Sequence, residues 1–244
     1  MGTIKKLDEE QVYNFDTDYI QGADWVNLVE HLNKSFPDGE FSFIDVGGGN
    51  GVFCDKLLET FPKSKGVLID NSEYLINLNK ENPRKTIICD SVENINKLLP
   101  DEKFDVIFLN LVLHHFIGNS YKISRSIVEN TLNNLYPLLS DRGLLYIMED
   151  VYNGKYIDGL ASYLIFSITS IKALGGITRR LGANTGGVGV CFRSRKQWLS
   201  LFDKCGYKVD KEDISHRFNN FPFYKRFILH MGDTGMVSFW LEKK

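Results

Sequence analysis

The stretch FIDVGGGNGVF, from Phe43 to Phe53, sets four glycines and an asparagine at the end of a short apolar run. Glycine costs backbone entropy on folding, so a loop this bare answers a need for unusual dihedrals or for close approach of something else. Three ligands ask for such a loop: a nucleoside triphosphate, a dinucleotide, or S-adenosylmethionine. A phosphate-binding Walker loop needs Lys and Ser/Thr after its last glycine, and here Gly51 is followed by Val52 and Phe53. The dinucleotide pattern G-x-G-x-x-G would start at Gly47 and Gly49 and then demand glycine where Val52 stands. What fits is G-x-G-x-G through Gly47, Gly49 and Gly51, with Asp45 two residues before the first glycine. A carboxylate there is awkward beside a pyrophosphate. It suits a ligand that carries a cation, such as the ammonium of a methionine moiety.

These residues must be held by an ordered set of elements. Trp25, Leu28, Val29 and Leu32 follow helical spacing, and SFPDG ends that helix. FSFIDV reads as a buried strand entering the glycine loop, and Phe53, Cys54, Leu57, Leu58 and Phe61 line the next helix. Further strands are GVLID ending at Asp70, TIICD ending at Asp90, FDVIFLN ending at Asn110, and GLLYIMED. Helices are expected around Tyr74–Leu78 and Ile123–Leu138. Short apolar strands alternating with helices indicate a parallel sheet covered on both faces, doubly wound by right-handed crossovers. Ser194 and Gln197 have capping-box spacing before WLSLF, and YKVDKEDI and GMVSFWLEK close the sheet as two last strands. The expected fold is α/β, a mostly parallel seven-stranded sheet with helices on both faces. The expected parts are an N-terminal helical lid segment (1–40), a cofactor-binding core (41–152), a lid insertion (153–193) and a closing helix with strands (194–244).

With 244 residues, the chain is long enough for one full domain and short for two. A formal net charge of −2 gives no bulk electrostatic argument for nucleic acid. The four cysteines, Cys54, Cys89, Cys191 and Cys205, lack metal or redox spacing, and Cys54 and Cys89 sit in apolar runs where cysteine acts as a small hydrophobe. No metal is expected. The apolar run Gly159–Ile171 is too short to span a bilayer, and the N-terminus lacks a signal-peptide core, so a reduced, cytoplasmic protein is expected.

Asp45 with Gly47, Gly49 and Gly51, followed by acids at the ends of strands two and three, resembles the class I S-adenosylmethionine-dependent methyltransferases from about Phe41 to Asp150. The resemblance implies that Asp70 accepts the ribose hydroxyls, that Asp90 and the Ser91 amide meet the adenine, and that Asn110 closes the site after strand four. The cofactor contacts it implies are Asp45, Gly47, Gly48, Gly49, Gly51, Asp70, Asn71, Asp90, Ser91, Asn110 and Tyr13. Tyr13 belongs to VYNFDTDY, which resembles a mobile aromatic lid in this family. An acid at a strand end is also a common helix cap. Four such signals in order, each at the carboxyl end of a successive strand, coincide with where this architecture binds ligands.

Methyl transfer needs a nucleophile in line with the sulfonium, and a hydroxyl acceptor also needs a base. His114 and His115 follow Asn110 closely and are the candidate catalytic residues; packing roles are the alternative. The insertion offers an apolar helix, LASYLIFSITSI, and a glycine-rich stretch flanked by Arg179, Arg180, Arg193 and Arg195. Apolar wall plus arginines suggests an amphipathic small-molecule acceptor with a carboxylate or phosphate, unless those arginines simply face water. An RNA or protein methyltransferase, or a non-catalytic adenosylmethionine-binding partner protein, remain the competing readings.

Overall fold

The structure is a computed structural model describing residues 3–6, 9–12, 20–180, 185–218 and 221–244. Among them the chain runs α1 (Glu9–Val12), α2 (Gly22–Ser35), β1 (Ser42–Val46), α3 (Val52–Thr60), β2 (Lys65–Asp70), α4 (Glu73–Ile76), β3 (Lys85–Cys89), α5 (Ile95–Leu98) and β4 (Phe104–Asn110). It continues through α6 (Tyr121–Leu135), β5 (Leu139–Gly154), α7 (Leu160–Thr169), α8 (Gly175–Arg180), α9 (Arg195–Lys204), β6 (Tyr207–Arg217), α10 (Phe223–Ile228) and β7 (Met231–Lys243). The strands form one seven-stranded sheet in the order β3-β2-β1-β4-β5-β7-β6. β1 to β5 pair in parallel, and β7 runs antiparallel between β5 and β6. The doubly wound sheet expected from the sequence is the one observed.

Successive side chains of a strand point to opposite faces, so a strand covered on both sides is apolar at every position. Ile44, Val46, Ile107, Leu109, Leu145 and Ile147 pack on one face with Val128 and Leu132 of α6 and Trp198 and Phe202 of α9. Their neighbours Phe43, Phe108, Tyr146 and Met148 pack on the other face with Leu28 and Leu32 of α2 and Cys54, Leu57 and Leu58 of α3. This alternation positions the site. Asp45, Asp70 and Asn110 take the α3 face at their strand ends, whereas Glu149 takes the α6 face.

Several boundaries differ from the sequence expectation. β5 runs from Leu139 to Gly154, longer than GLLYIMED, because β7 pairs with it out to Gly154. Cys89 is exposed, not a buried hydrophobe, because it ends β3 at the sheet edge; all four cysteines are free. Residues 153–193 contain α7 and α8. The capping box of α9 forms as expected, with Ser194 Oγ accepting from Gln197 N at 3.1 Å and Gln197 Oε1 accepting from Ser194 N at 3.2 Å. α10, between the closing strands, has no counterpart in the sequence reading.

Candidate active site

The glycine loop leaves β1 and enters α3 through Gly51, whose φ of +77° is left-handed backbone that favours glycine. A Cβ on Gly51 would stand 1.9 Å from Asn79 Oδ1. The Asn79 amide in turn donates to Gly49 O at 2.8 Å, and Lys85 Nζ reaches Asn79 Oδ1 at 3.3 Å and Asp55 Oδ1 at 2.6 Å. This buried network ties the loop to α3 and β3 from behind, and nothing in local sequence spacing announces it. Gly48 covers Asp45: a Cβ there would lie 2.5 Å from Asp45 Oδ2 and 2.8 Å from Leu68 Cγ. Gly48→Ala is therefore expected to destabilise the fold by about 1–3 kcal/mol and to weaken adenosylhomocysteine binding. Thermal denaturation and calorimetry check both.

Three polar groups converge beneath and beside this loop. Asp70 Oδ2 accepts from Gly49 N at 3.1 Å and its Oδ1 accepts from Ser72 N at 2.8 Å. Burial holds the Asp70 carboxyl above its ordinary range despite those amides. Asp45 is 1% exposed, and burial, then the charge of Asp70, push it up to about 7. The Asn110 side chain pulls Asp45 partly back, yet it closes no regular hydrogen bond: both its amide atoms and Asp45 Oδ2 are buried without one. Buried polar atoms normally have partners, so this cluster is built for a polar ligand that completes it.

The cluster opens into a cavity of about 370 Å³ lined by Asp45, Gly47, Gly48, Gly49, Asp70, Asn71, Asn110 and His115. The N-terminal strap crosses it: Ile4, Lys5 and Lys6 line the cavity, with Lys5 N donating to Ile117 O at 2.8 Å and Ile4 N to Glu93 Oε2 at 3.3 Å. A smaller adjoining cavity of about 60 Å³ takes in Asp90 and Ser91. Asp90 accepts from Ser91 N at 2.6 Å and from the Asn94 amide at 2.8 Å, which hold its carboxyl below the usual range. Asp90 thus caps the turn that follows β3 and also borders the cavity. Tyr13 lies outside the described residues. The set fits the cofactor that the resemblance implies: a glycine cradle without room for a Cβ, an acid beneath it for a cation, and a second acid with hydrogen-bonding capacity for hydroxyls.

After β4 the backbone turns through Leu111 at φ +52°, an uncommon conformation for a leucine, and Leu111 N donates to Met148 O at 2.8 Å. This turn separates the two histidines. His115 lines the cavity, and burial and the neighbouring His114 hold it well below 6.5, so it is neutral. His114 is 7% exposed, with Nδ1 at 2.6 Å from Glu149 Oε2. Glu149 Oε1 accepts from Leu113 N at 2.7 Å. Burial alone would lower the His114 pKa, but the charge and hydrogen bond of Glu149 outweigh it and leave the group above its ordinary 6.5. Glu149 is fully buried and was absent from the sequence candidates, although the acidic pair Glu149–Asp150 at the end of an apolar strand was a visible signal.

The returning arm of the insertion lies against this pair. Cys191 N donates to His114 O at 2.9 Å, and the Phe192 ring lies 5.0 Å from the His114 ring and 4.3 Å from Tyr152. Tyr152, Phe192, Phe218 and Phe221 make an aromatic cluster there. The four arginines are not brought together. Arg179 and Arg180 are exposed at the end of α8, and Arg195 forms a two-pronged ion pair with Glu212 at 2.5 and 2.6 Å. Arg193 is buried and packed over the Trp198 ring at 4.9 Å, donating to Arg125 O at 3.1 Å. Burial lowers its pKa to about 10.

Residues 44–145 match the family model described as a methyltransferase domain. Among curated proteins, malonyl-[acyl-carrier protein] O-methyltransferase 1 of Ilyobacter polytropus is 31% identical over 125 residues, 50% of this chain and 41% of that protein. Isoflavone-7-O-methyltransferase 9 of Medicago sativa is 25% identical over 205 residues, 83% of this chain and 51% of that protein. This chain therefore spans about half the length, or less, of these curated relatives. Among solved structures, the plantazolicin methyltransferase BamL, in complex with a triazolic desmethylPZN analogue and SAH, superposes with a TM-score of 0.61 at 17% identity, covering 96% of this chain and 89% of that one.

Proposed function

We propose that this chain, which belongs through residues 44–145 to the class I S-adenosylmethionine-dependent methyltransferases, transfers a methyl group to a hydroxyl oxygen of a small molecule. The observation that carries this reading is the buried His114–Glu149 pair in the turn after β4, next in the chain to His115, which lines the cavity. The bound cofactor supplies an electrophilic methyl on a sulfonium. Asp45 would hold its ammonium, Asp70 would accept from its ribose hydroxyls, and Asp90 with Ser91 would border its base. Glu149 accepts the Nδ1 proton of His114, which leaves Nε2 as the free lone pair of the neutral imidazole. Nε2 can then take the proton of the acceptor hydroxyl, which makes that oxygen a competent nucleophile. His115, kept neutral, lines the wall between cradle and acceptor. The described arm 185–193, whose Cys191 and Phe192 lie against His114, and the N-terminal strap would close over the site and exclude water.

The O-methyltransferases among the relatives above support oxygen as the methylated atom. The aromatic cluster of Tyr152, Phe192, Phe218 and Phe221 favours a planar acceptor. Since Arg195 is held by Glu212 and Arg193 faces the helices, an anionic acceptor would rely on Arg179 or Arg180. Incubation with methyl-labelled S-adenosylmethionine and a panel of phenols and carboxylic acids is expected to yield labelled methyl ethers. Label in carboxylate esters alone would move the acceptor to the acids, label in protein or RNA would replace the small-molecule reading, and no label despite adenosylhomocysteine binding would make the chain a non-catalytic binder.

A further inference from the structure

The six-residue helix α10 is packed at both ends and presents one open face between them. Phe221 before it and Leu229 after it pack on the aromatic cluster with Tyr152 and Phe192. Its own large side chains face out: Phe223 is 79% exposed and Phe227 73%, with Tyr224 and Ile228 also exposed. Positions 223, 224, 227 and 228 fall on one helical face. Phe223 and Phe227 stack on each other in the open, ring centroids 6.3 Å apart. The patch continues into the turn after β5. His230 Nε2 accepts from Tyr156 N at 3.0 Å and Ile157 N at 2.9 Å, and Tyr156 is 80% exposed. Contiguous exposed aromatic and aliphatic groups of this kind mark an interaction surface.

The charges beside the patch choose the partner. Exposed Lys155 sits 5.2 Å over the Tyr156 ring, and α10 carries the half-buried Lys225 and Arg226, the latter donating to Gly232 O at 2.6 Å. α10 contains no acid, and Asp158 is the one acid in the turn 155–158. A second copy meeting this face about a two-fold axis would set these cations against themselves. An anionic surface accepts them while the aromatic rings enter an apolar layer. Among the described residues no helix is long and apolar enough to cross a membrane, so the contact would lie in the plane of the surface.

We propose that α10 and the Lys155–Ile157 turn dock the protein on an anionic phospholipid bilayer. The docking is independent of the reaction proposed above, so failure of either leaves the other standing. The test is flotation of the full chain with vesicles rich in phosphatidylglycerol and, separately, with pure phosphatidylcholine vesicles. The protein is expected to float with the anionic vesicles, less so in high salt. Phe223→Ser with Phe227→Ser is expected to lower the bound fraction on the order of tenfold, and Lys155→Glu with Lys225→Glu to abolish the lipid preference. Circular dichroism confirms that each variant folds; should the aromatic variant not fold, the charge variant carries the test alone. Failure to float with anionic vesicles overturns the proposal, as does undiminished flotation of the folded variants. A dimer in sedimentation velocity that the aromatic substitutions split, without vesicle binding, would assign the surface to a second copy instead.

Discussion

Glu149→Gln is expected to lower turnover by about 10²–10⁴ while leaving cofactor affinity unchanged. The substitution keeps size and shape, so the effect traces to one proton. In the native pair, Oε1 accepts from Leu113 N at 2.7 Å and Oε2 faces His114 Nδ1 at 2.6 Å. A glutamine leaves its oxygen on the backbone amide and turns its NH₂ toward Nδ1. His114 then takes the opposite tautomer, with the proton on Nε2, and cannot receive one from the acceptor. His114→Ala is expected to fall as far, since the two act as one unit. The pH profile separates this role from packing. Glu149 holds His114 above 6.5, so wild-type turnover rises with pH as the imidazole loses its proton through that raised value. The pair's contribution to stability has the opposite sign: it is complete below 6.5 and lost as pH climbs past the folded value. A folded Glu149→Gln enzyme with full turnover and an unchanged profile would reduce the pair to a packing element. Stopped-time assays with a confirmed acceptor, alongside calorimetry with adenosylhomocysteine, supply both readouts.

The two halves of the site differed in how visible they were before the fold was known. Each candidate cofactor residue stands at or next to the end of a strand that its own neighbours define, so Asp45, Asp70, Asp90 and Asn110 are legible one at a time from local pattern. The doubly wound sheet then brought three of them to one cavity, with Asp90 at its smaller neighbour. The His114–Glu149 pair needs long-range information. Glu149 lies 35 residues from His114 and meets it because both occupy the α6 side of adjacent strand ends. His114 and His115 were equal as sequence; the turn at Leu111 makes one a partner of Glu149 and the other a cavity wall. The arginines show a second limit. Spacing reports charge, whereas availability depends on what the fold sets beside each one: Glu212 for Arg195 and Trp198 for Arg193. α10 escaped notice because six residues give too little helical periodicity to distinguish from the adjoining strands.

Cofactor affinity is expected to depend steeply on pH near neutrality, and Asp45 is the reason. Burial and the charge of Asp70 raise its carboxyl from 3.8 to about 7 in the ligand-free protein. Between those values the folded chain holds a proton that an unfolded chain has released, so the raised value costs stability progressively as pH rises through that window. An ammonium placed against the carboxyl reverses the preference, because an adjacent cation favours the ionised acid. Adenosylhomocysteine should therefore bind more tightly as pH rises to about 7, and lose up to about tenfold per pH unit below it. Above about pH 8 the ligand's own amine begins to lose its proton, so affinity passes through a maximum. Asp45→Asn, which has the same shape and no proton to lose, is expected to weaken binding at neutral pH and remove the acidic limb. Asp70 is also raised by burial, so a residual slope at lower pH would belong to it. Adenosine makes the assignment specific to the cation: it shares the ribose and base, lacks the amine, and should bind without the step near 7. Calorimetric titrations of both ligands across this range decide the point. A pH-independent adenosylhomocysteine affinity, or the same step for adenosine, would place the ammonium away from Asp45 and leave that acid as part of the loop's own packing.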